Sequence, residues 1–234
     1  MPIKAVGFDI DGTLYPAGAL YWRMLPRALG SLRLLAAFDR VRKDLRALAT
    51  TPTYRSAPPV GMEAFHRYQA ALTAARLGIG EAEALDAIQR FFYEESFERF
   101  RTIRCYPHLR EVLDRLRQAG LALGALSDFP CLRKLELLGL AGEFRVALAS
   151  EETGFVKPHR ASFDLLASSL GVRNDELLYV GNSEDYDVAG ARAAGMRTAL
   201  IAGGARTRAR SAADFTFRDY RQLARYILER GAGN

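Results

Sequence analysis

A change of hydrophobic period along the chain sets the strongest limit on its fold. Apolar runs of strand length stand at residues 3–8, Leu121–Leu126, Val146–Leu148, Leu177–Val180, Thr198–Ala202 and, more weakly, around Phe215. Between them lie segments whose apolar residues recur three and four apart: Leu109, Val112, Leu113 and Leu116; Leu132, Leu135 and Leu138; Phe163, Leu166 and Leu170; Leu223, Tyr226 and Ile227. A further helix opens near Asp187. Side chains alternate across a strand but return to one helix face every three or four residues, so the pattern reads strand, helix, strand. Such alternation predicts an α/β fold: a Rossmann-like, mostly parallel sheet with helices on both faces.

Residues 15–104 break the alternation, showing helical periods alone. Leu34, Phe38, Val41, Leu45 and Leu48 form one series, Met62, Phe65, Tyr68 and Leu72 a second, and Leu85, Ile88, Phe92 and Phe97 a third. The Pro- and Gly-rich stretch Thr51–Gly61 reads as a loop, and Leu77-Gly-Ile-Gly80 as another break. The expected organisation is a core of residues 1–14 and 105–234, with an all-helical unit, 15–104, inserted after the first strand.

At 234 residues and 49% hydrophobic content, the chain can bury a large core. No apolar run approaches the ~20 residues of a membrane-spanning helix, and the first residues enter a strand pattern without the layout of a cleavable signal. The expectation is a cytoplasmic protein with no membrane partner. Cys105 and Cys131 are too few for a disulfide framework and lie outside CxxC or Cys/His spacing. The net charge of +6 is concentrated in residues 15–55, where Arg23, Arg27, Arg33, Arg40, Arg42, Lys43, Arg46 and Arg55 face only Asp39 and Asp44. A basic stretch attracts anionic ligands, yet it lacks the interleaved aromatic and basic pattern of a nucleic-acid module, and no nucleic-acid partner is expected.

Ligands of open parallel sheets bind beyond the carboxyl ends of the strands, which directs attention to the residues just after each strand. In Asp9-Ile10-Asp11-Gly12-Thr13 two carboxylates alternate along an extended chain and point the same way. Their proximity calls for a proton or a cation between them, and a hard, oxygen-seeking ion such as Mg2+ suits the site.

This segment, Asp9-Ile-Asp-Gly-Thr-Leu, resembles the first motif of the haloacid dehalogenase-like hydrolase superfamily. Ala125-Leu-Ser127-Asp128 is similar to the second motif, Gly154-Phe-Val-Lys157-Pro158 to the third, and Val180-Gly-Asn-Ser-Glu-Asp-Tyr-Asp187 to the acidic fourth. The resemblance implies a magnesium-dependent phosphatase of the branch with a helical cap after the first motif, acting on a small phosphorylated metabolite. It implies Asp9 as a nucleophile that forms an aspartyl-phosphate and Asp11 as the general acid and base. Gly12, Thr13, Ser127, Asp128 and Lys157 are the implied phosphate-binding residues, with Lys157 compensating charge. Mg2+ would be held by Asp9, the Asp11 carbonyl, Asn182 and, through its waters, Asp187.

Two positions depart from the family pattern. Asn182 stands where the fourth motif commonly has Asp, which predicts a weaker magnesium site. Asp128 stands where Asn is common, and an extra carboxylate beside a phosphate must turn away, for instance to cap the helix containing Leu132. Asp11 favours phosphoryl transfer over dehalogenation, because a leaving alkoxide needs a proton and a halide does not. A mutase-type phosphotransferase and a non-catalytic binding module on the same fold stay open on sequence alone. The basic half of the insertion suggests a substrate carrying negative charge beyond its phosphoryl group.

Overall fold

The computed structural model describes residues 2–20, 24, 29–94, 97, 100–202 and 210–231. Its centre is a six-stranded, all-parallel sheet: β1 (Ala5–Phe8), β2 (Ala122–Ser127), β3 (Val146–Ala149), β4 (Leu177–Gly181), β5 (Arg197–Ile201) and β6 (Phe215–Phe217), in the order β3-β2-β1-β4-β5-β6. The strands carry almost no exposed residues, as parallel strands sandwiched between helices must. Alternation assigns their side chains to two cores. Val6, Phe8, Leu123, Ala125, Leu178 and Val180 point one way, toward Leu113, Leu116, Leu135 and Leu223. Ala5, Leu126, Leu177 and Tyr179 point the other way, toward Phe163, Leu166 and Leu170.

Because β2 and β3 extend to one side of β1 and β4 to β6 to the other, the strand order reverses between β1 and β4. A crevice must open at the carboxyl ends there, since the flanking connections leave in opposite directions. Phe8 pairs with Ala125 on one side and Val180 on the other, so Asp9, Leu126 and Gly181 emerge at one level.

Among the described residues, the segment between β1 and β2 consists of helices joined by short loops and holds no strand. It comprises α1 (Leu32–Leu48), α2 (Pro52–Ser56), α3 (Met62–Leu77), α4 (Glu81–Ile88) and a wider π-type turn, Gln89–Glu94. The short α2 lies inside the stretch that reads as a loop. Pro52 occupies its first turn, where no N–H is needed, and Thr51 caps it by accepting from the Tyr54 N–H at 3.4 Å. The helices build two apolar clusters, one of Val41, Leu45, Tyr54 and Phe65 with Phe155 and Val156 from the loop after β3. The other joins Phe38, Ala70, Ala74, Ala84, Ile88 and Tyr93. Tyr15, Phe100 and Ile103, by contrast, pack in the sheet core. The two crossing segments are tied by the Tyr106 N–H donating to the Leu14 carbonyl at 2.9 Å.

The core is completed by α5 (Leu109–Gln118), α6 (Leu132–Leu137), α7 (Arg160–Leu170), α8 (Ala189–Ala193) and α9 (Tyr220–Gly231). Among the described residues no helix is long and apolar enough to cross a membrane. Arg23 and Arg27 of the basic stretch lie outside the described residues.

Candidate active site

Asp9 leaves β1 at the crevice, its N–H still continuing the ladder to the Val180 carbonyl at 2.8 Å. Its Oδ1 accepts from Lys157 Nζ at 2.7 Å, and its Oδ2 accepts from Thr13 Oγ1 at 2.7 Å. The same Lys157 ammonium donates to Asp187 Oδ1 at 2.7 Å and to the Tyr179 hydroxyl at 3.3 Å. All three members of this triad are buried. Burial pushes the Asp9 carboxyl up to about 7 against the pull of Lys157, with Asp187 and Asp11 adding repulsion. Burial disfavours the Lys157 ammonium, yet Asp187 and Asp9 together hold it well above the ordinary lysine range.

Gly12 is indispensable to this turn for two reasons. Its φ of 94° suits glycine, and a Cβ there would come within 2.3 Å of the Asn182 amide nitrogen. The close approach brings Asn182 to Asp9: Thr13 Oγ1 lies 2.7 Å from Asp9 Oδ2 and 3.3 Å from Asn182 Oδ1. Asp187 is the penultimate residue of the π-type turn Glu184–Val188, which Ser183 caps. Its Oδ2 accepts from the N–H groups of Asn182 and Ser183 at 3.1 and 3.0 Å, so it fastens both Lys157 and the loop after β4. Glu184 anchors the neighbouring chain instead, accepting from Ser211 and the Ala212 N–H.

Asp11 is the half-exposed carboxylate of the group. Lys134 Nζ donates to its Oδ2 at 2.6 Å, Ser127 Oγ to the same oxygen at 3.2 Å, and the Tyr15 hydroxyl to its Oδ1. Burial works to raise its pKa, but the ammonium and these three donors win and hold it below the ordinary aspartate value. Lys134 was not singled out by sequence. The signal was a lysine on the inward face of a helix, four residues before Leu138 and buried with it.

Asp128 turns from the phosphate position and does not cap α6. Its Oδ1 accepts from the Lys157 N–H at 2.9 Å, and its Oδ2 accepts from Arg46 at 3.0 Å and pairs with Arg42 at 3.3 Å. Burial opposes ionisation, but Arg42, Lys157 and Arg46 hold the carboxyl below its usual range. Arg42 in turn meets the fully buried Glu151, which His66 also contacts at 2.9 Å and Tyr93 at 3.2 Å. This buried network joins α1 and α3 to the short helical turn after β3, and sequence reasoning missed it because its partners lie up to 109 residues apart.

The donor set suits a hard cation. Asp9 Oδ2 and Asn182 Oδ1 converge on one hydroxyl, and the atoms offered are a carboxylate, an amide oxygen and main-chain carbonyls, with no sulfur or imidazole. Among the described residues no three His, Cys, Asp or Glu side chains converge on a metal position.

A model of haloacid dehalogenase-like hydrolases matches residues 3–195. A glyceraldehyde 3-phosphate phosphatase of Methanopyrus kandleri is 32% identical over 205 residues, 85% of this chain and 84% of that protein. A phosphoglycolate phosphatase of Yersinia pseudotuberculosis is 29% identical over 82% of this chain and 78% of its own. The crystal structure of a phosphatase from Thermococcus onnurineus superimposes with a TM-score of 0.62 at 26% identity, covering 97% of this chain and 98% of that one.

Proposed function

Since the chain belongs to the haloacid dehalogenase-like hydrolase family, we propose that it is a phosphatase that hydrolyses phosphomonoesters through an aspartyl-phosphate on Asp9. One observation carries this reading: a single buried ammonium, Lys157 Nζ, lies 2.7 Å from both Asp9 and Asp187 in the crevice at the strand reversal. Phosphoryl transfer is governed by positioning and charge compensation, and this is where both are concentrated.

In the proposed cycle an Asp9 carboxylate oxygen attacks phosphorus, while Lys157 and the Ser127 hydroxyl meet the charge of the transferring group. Asp11 faces the open side of the crevice, in reach of the leaving oxygen. Lys134 and Tyr15 hold it ionised at rest, and the approach of a phosphate dianion favours its protonated form by like-charge repulsion. It then gives that proton to the leaving alkoxide and, ionised again, takes one from the water that attacks the phospho-enzyme. Mg2+ held by Asp9, the Asp11 carbonyl and Asn182, with Asp187 behind them, would compensate further charge on the phosphoryl oxygens. Residues 15–104, as a cap, would close over the crevice and exclude water from the first step.

The test is hydrolysis of p-nitrophenyl phosphate with MgCl2 by the native chain and by Asp9→Asn. Turnover that disappears in the variant supports the reading, and equal rates in the two refute it. Trapping of 32P on the native protein but not on Asp9→Asn tests the intermediate separately.

A further inference from the structure

Beyond the carboxylates, between the strand ends and the helical insertion, lies a cavity of about 610 Å3, within the roughly 300–1,000 Å3 of sites that engulf an organic ligand. Asp11 lines it and Asp9 does not. On the reading proposed above, the residue that protonates the leaving oxygen thus faces the space where the leaving alcohol must lie.

The walls of that space are mainly hydrocarbon. Leu20, Met24, Leu35, Phe92 and Phe129 line it and are only half-buried. Phe38 stacks on Phe92 with ring centres 3.8 Å apart and on Phe129 at 6.2 Å, which presents a continuous aromatic wall. The charges along the wall already have partners: Lys134 meets Asp11, Arg46 meets Asp128, Arg42 meets Glu151 and Asp39 meets Lys43. Among the described lining residues, therefore, no unpaired cation awaits a second anionic group. Of the basic residues of α1, Arg42 and Arg46 meet carboxylates at this wall, while Arg33 and Arg40 are exposed.

From this lining we infer that the preferred substrate is the phosphate monoester of a primary alcohol with an uncharged, apolar carbon skeleton well beyond three carbons, a chain or ring that rests on the Phe92–Phe38–Phe129 wall. Polar two- and three-carbon phosphates would leave most of the cavity to water and gain nothing from its walls. The inference deepens the phosphatase reading and rests on it.

The experiment compares kcat/KM for ethyl, butyl and hexyl phosphate, whose leaving alcohols have nearly equal acidity, beside 2-phosphoglycolate and glyceraldehyde 3-phosphate. Each buried methylene is worth up to about fourfold, so hexyl phosphate should exceed ethyl phosphate by roughly 30-fold or more. Leu35→Gln, at the half-buried rim, should cut the hexyl-to-ethyl ratio by about tenfold, a comparison internal to each protein and independent of the folded fraction. A flat series, or either polar ester ahead of hexyl phosphate, overturns the inference while Asp9-dependent hydrolysis of p-nitrophenyl phosphate leaves the phosphatase reading standing. If no ester is hydrolysed, that reading falls, and calorimetric titration with hexylphosphonate and ethylphosphonate decides on the cavity alone. Tighter binding of the hexyl compound supports an apolar site, and equal or absent binding overturns it.

Discussion

Two groups of buried charge lie a few residues apart in this molecule, and they are built for opposite ends. Around Lys157 one cation serves two carboxylates, Asp9 and Asp187, leaving negative charge in excess and Asp9 pushed up to about 7. Around Glu151 the charges balance more nearly, because Arg42 pairs with both Glu151 and Asp128 and Arg46 brings a second cation to Asp128. Arg42, Gln69, His66 and Tyr93 enclose Glu151 so that Arg42 joins it while Gln69 accepts from the same guanidinium at 3.1 Å. The first group is hydrogen-bonded but carries one carboxylate in excess of its cation; the second joins α1 and α3 to the turn after β3. The contrast shows that burial of charge alone does not mark a catalytic centre. What marks it is an imbalance that only a ligand, a proton or a cation can relieve.

The sharpest way to break the comparison is to take away one partner on each side. Glu151→Ala leaves the buried Arg42 guanidinium with Asp128 as its one remaining carboxylate and is expected to cost about 3–5 kcal/mol of stability in urea unfolding, whereas replacing the pair together, Arg42→Met with Glu151→Leu, should recover most of it. A double variant as unstable as the single one would show that the network does more than satisfy its own charges. Lys157→Met should instead lose about 10²- to 10³-fold in kcat, with a smaller loss of stability than Glu151→Ala when both are measured at pH 6. There Asp9, whose carboxyl already titrates near 7, can become neutral, and Asp187 keeps its two backbone N–H donors. Equal stability losses would erase the proposed difference between the groups.

Smaller effects sharpen the reactive side. Asn182→Asp restores a negative ligand and should lower the Mg2+ concentration for half-maximal rate by roughly tenfold, read from metal titrations of activity. Because the protonated form of Asp9 cannot attack phosphorus, kcat/KM at limiting Mg2+ should fall as pH drops through about 7. Saturating Mg2+ favours the carboxylate and should move that limb to lower pH. A limb that stays fixed as Mg2+ is varied would remove Asp9 from the metal. The smallest effect belongs to an exposed pair, Lys43 with Asp39, whose loss in Lys43→Ala should change stability by less than about 0.5 kcal/mol.

Much of this could be read from the chain. The parallel core was legible because each strand is a short apolar run between helices of clear period, and the four loops that carry Asp9, Ser127, Lys157 and Asp187 all follow strands. The insertion was legible as helix for the same reason, with α2 missed because Pro52 and Thr51 look like loop residues until seen as first turn and cap. Pairings between residues distant in the chain were not legible. Lys134 reaches Asp11 across 123 positions and Glu151 reaches Arg42 across 109, and neither distance leaves a trace in local periodicity. The partners of α1's charges were hidden for a related reason: composition counts arginines, while only the fold shows that Arg42 and Arg46 meet Asp128.

The tie between Tyr106 and Leu14 has one more consequence, which concerns how such a molecule can diversify. Where the ends of a long excursion are fastened side by side, the entropy of closing it depends only weakly on its length, about 0.6 kcal/mol for each doubling. Helices can therefore be lengthened, shortened or exchanged between those anchors while the strand ends and their carboxylates keep their positions. Descendants of one ancestral chain could acquire chambers of different size and lining without redesigning the residues at the strand ends.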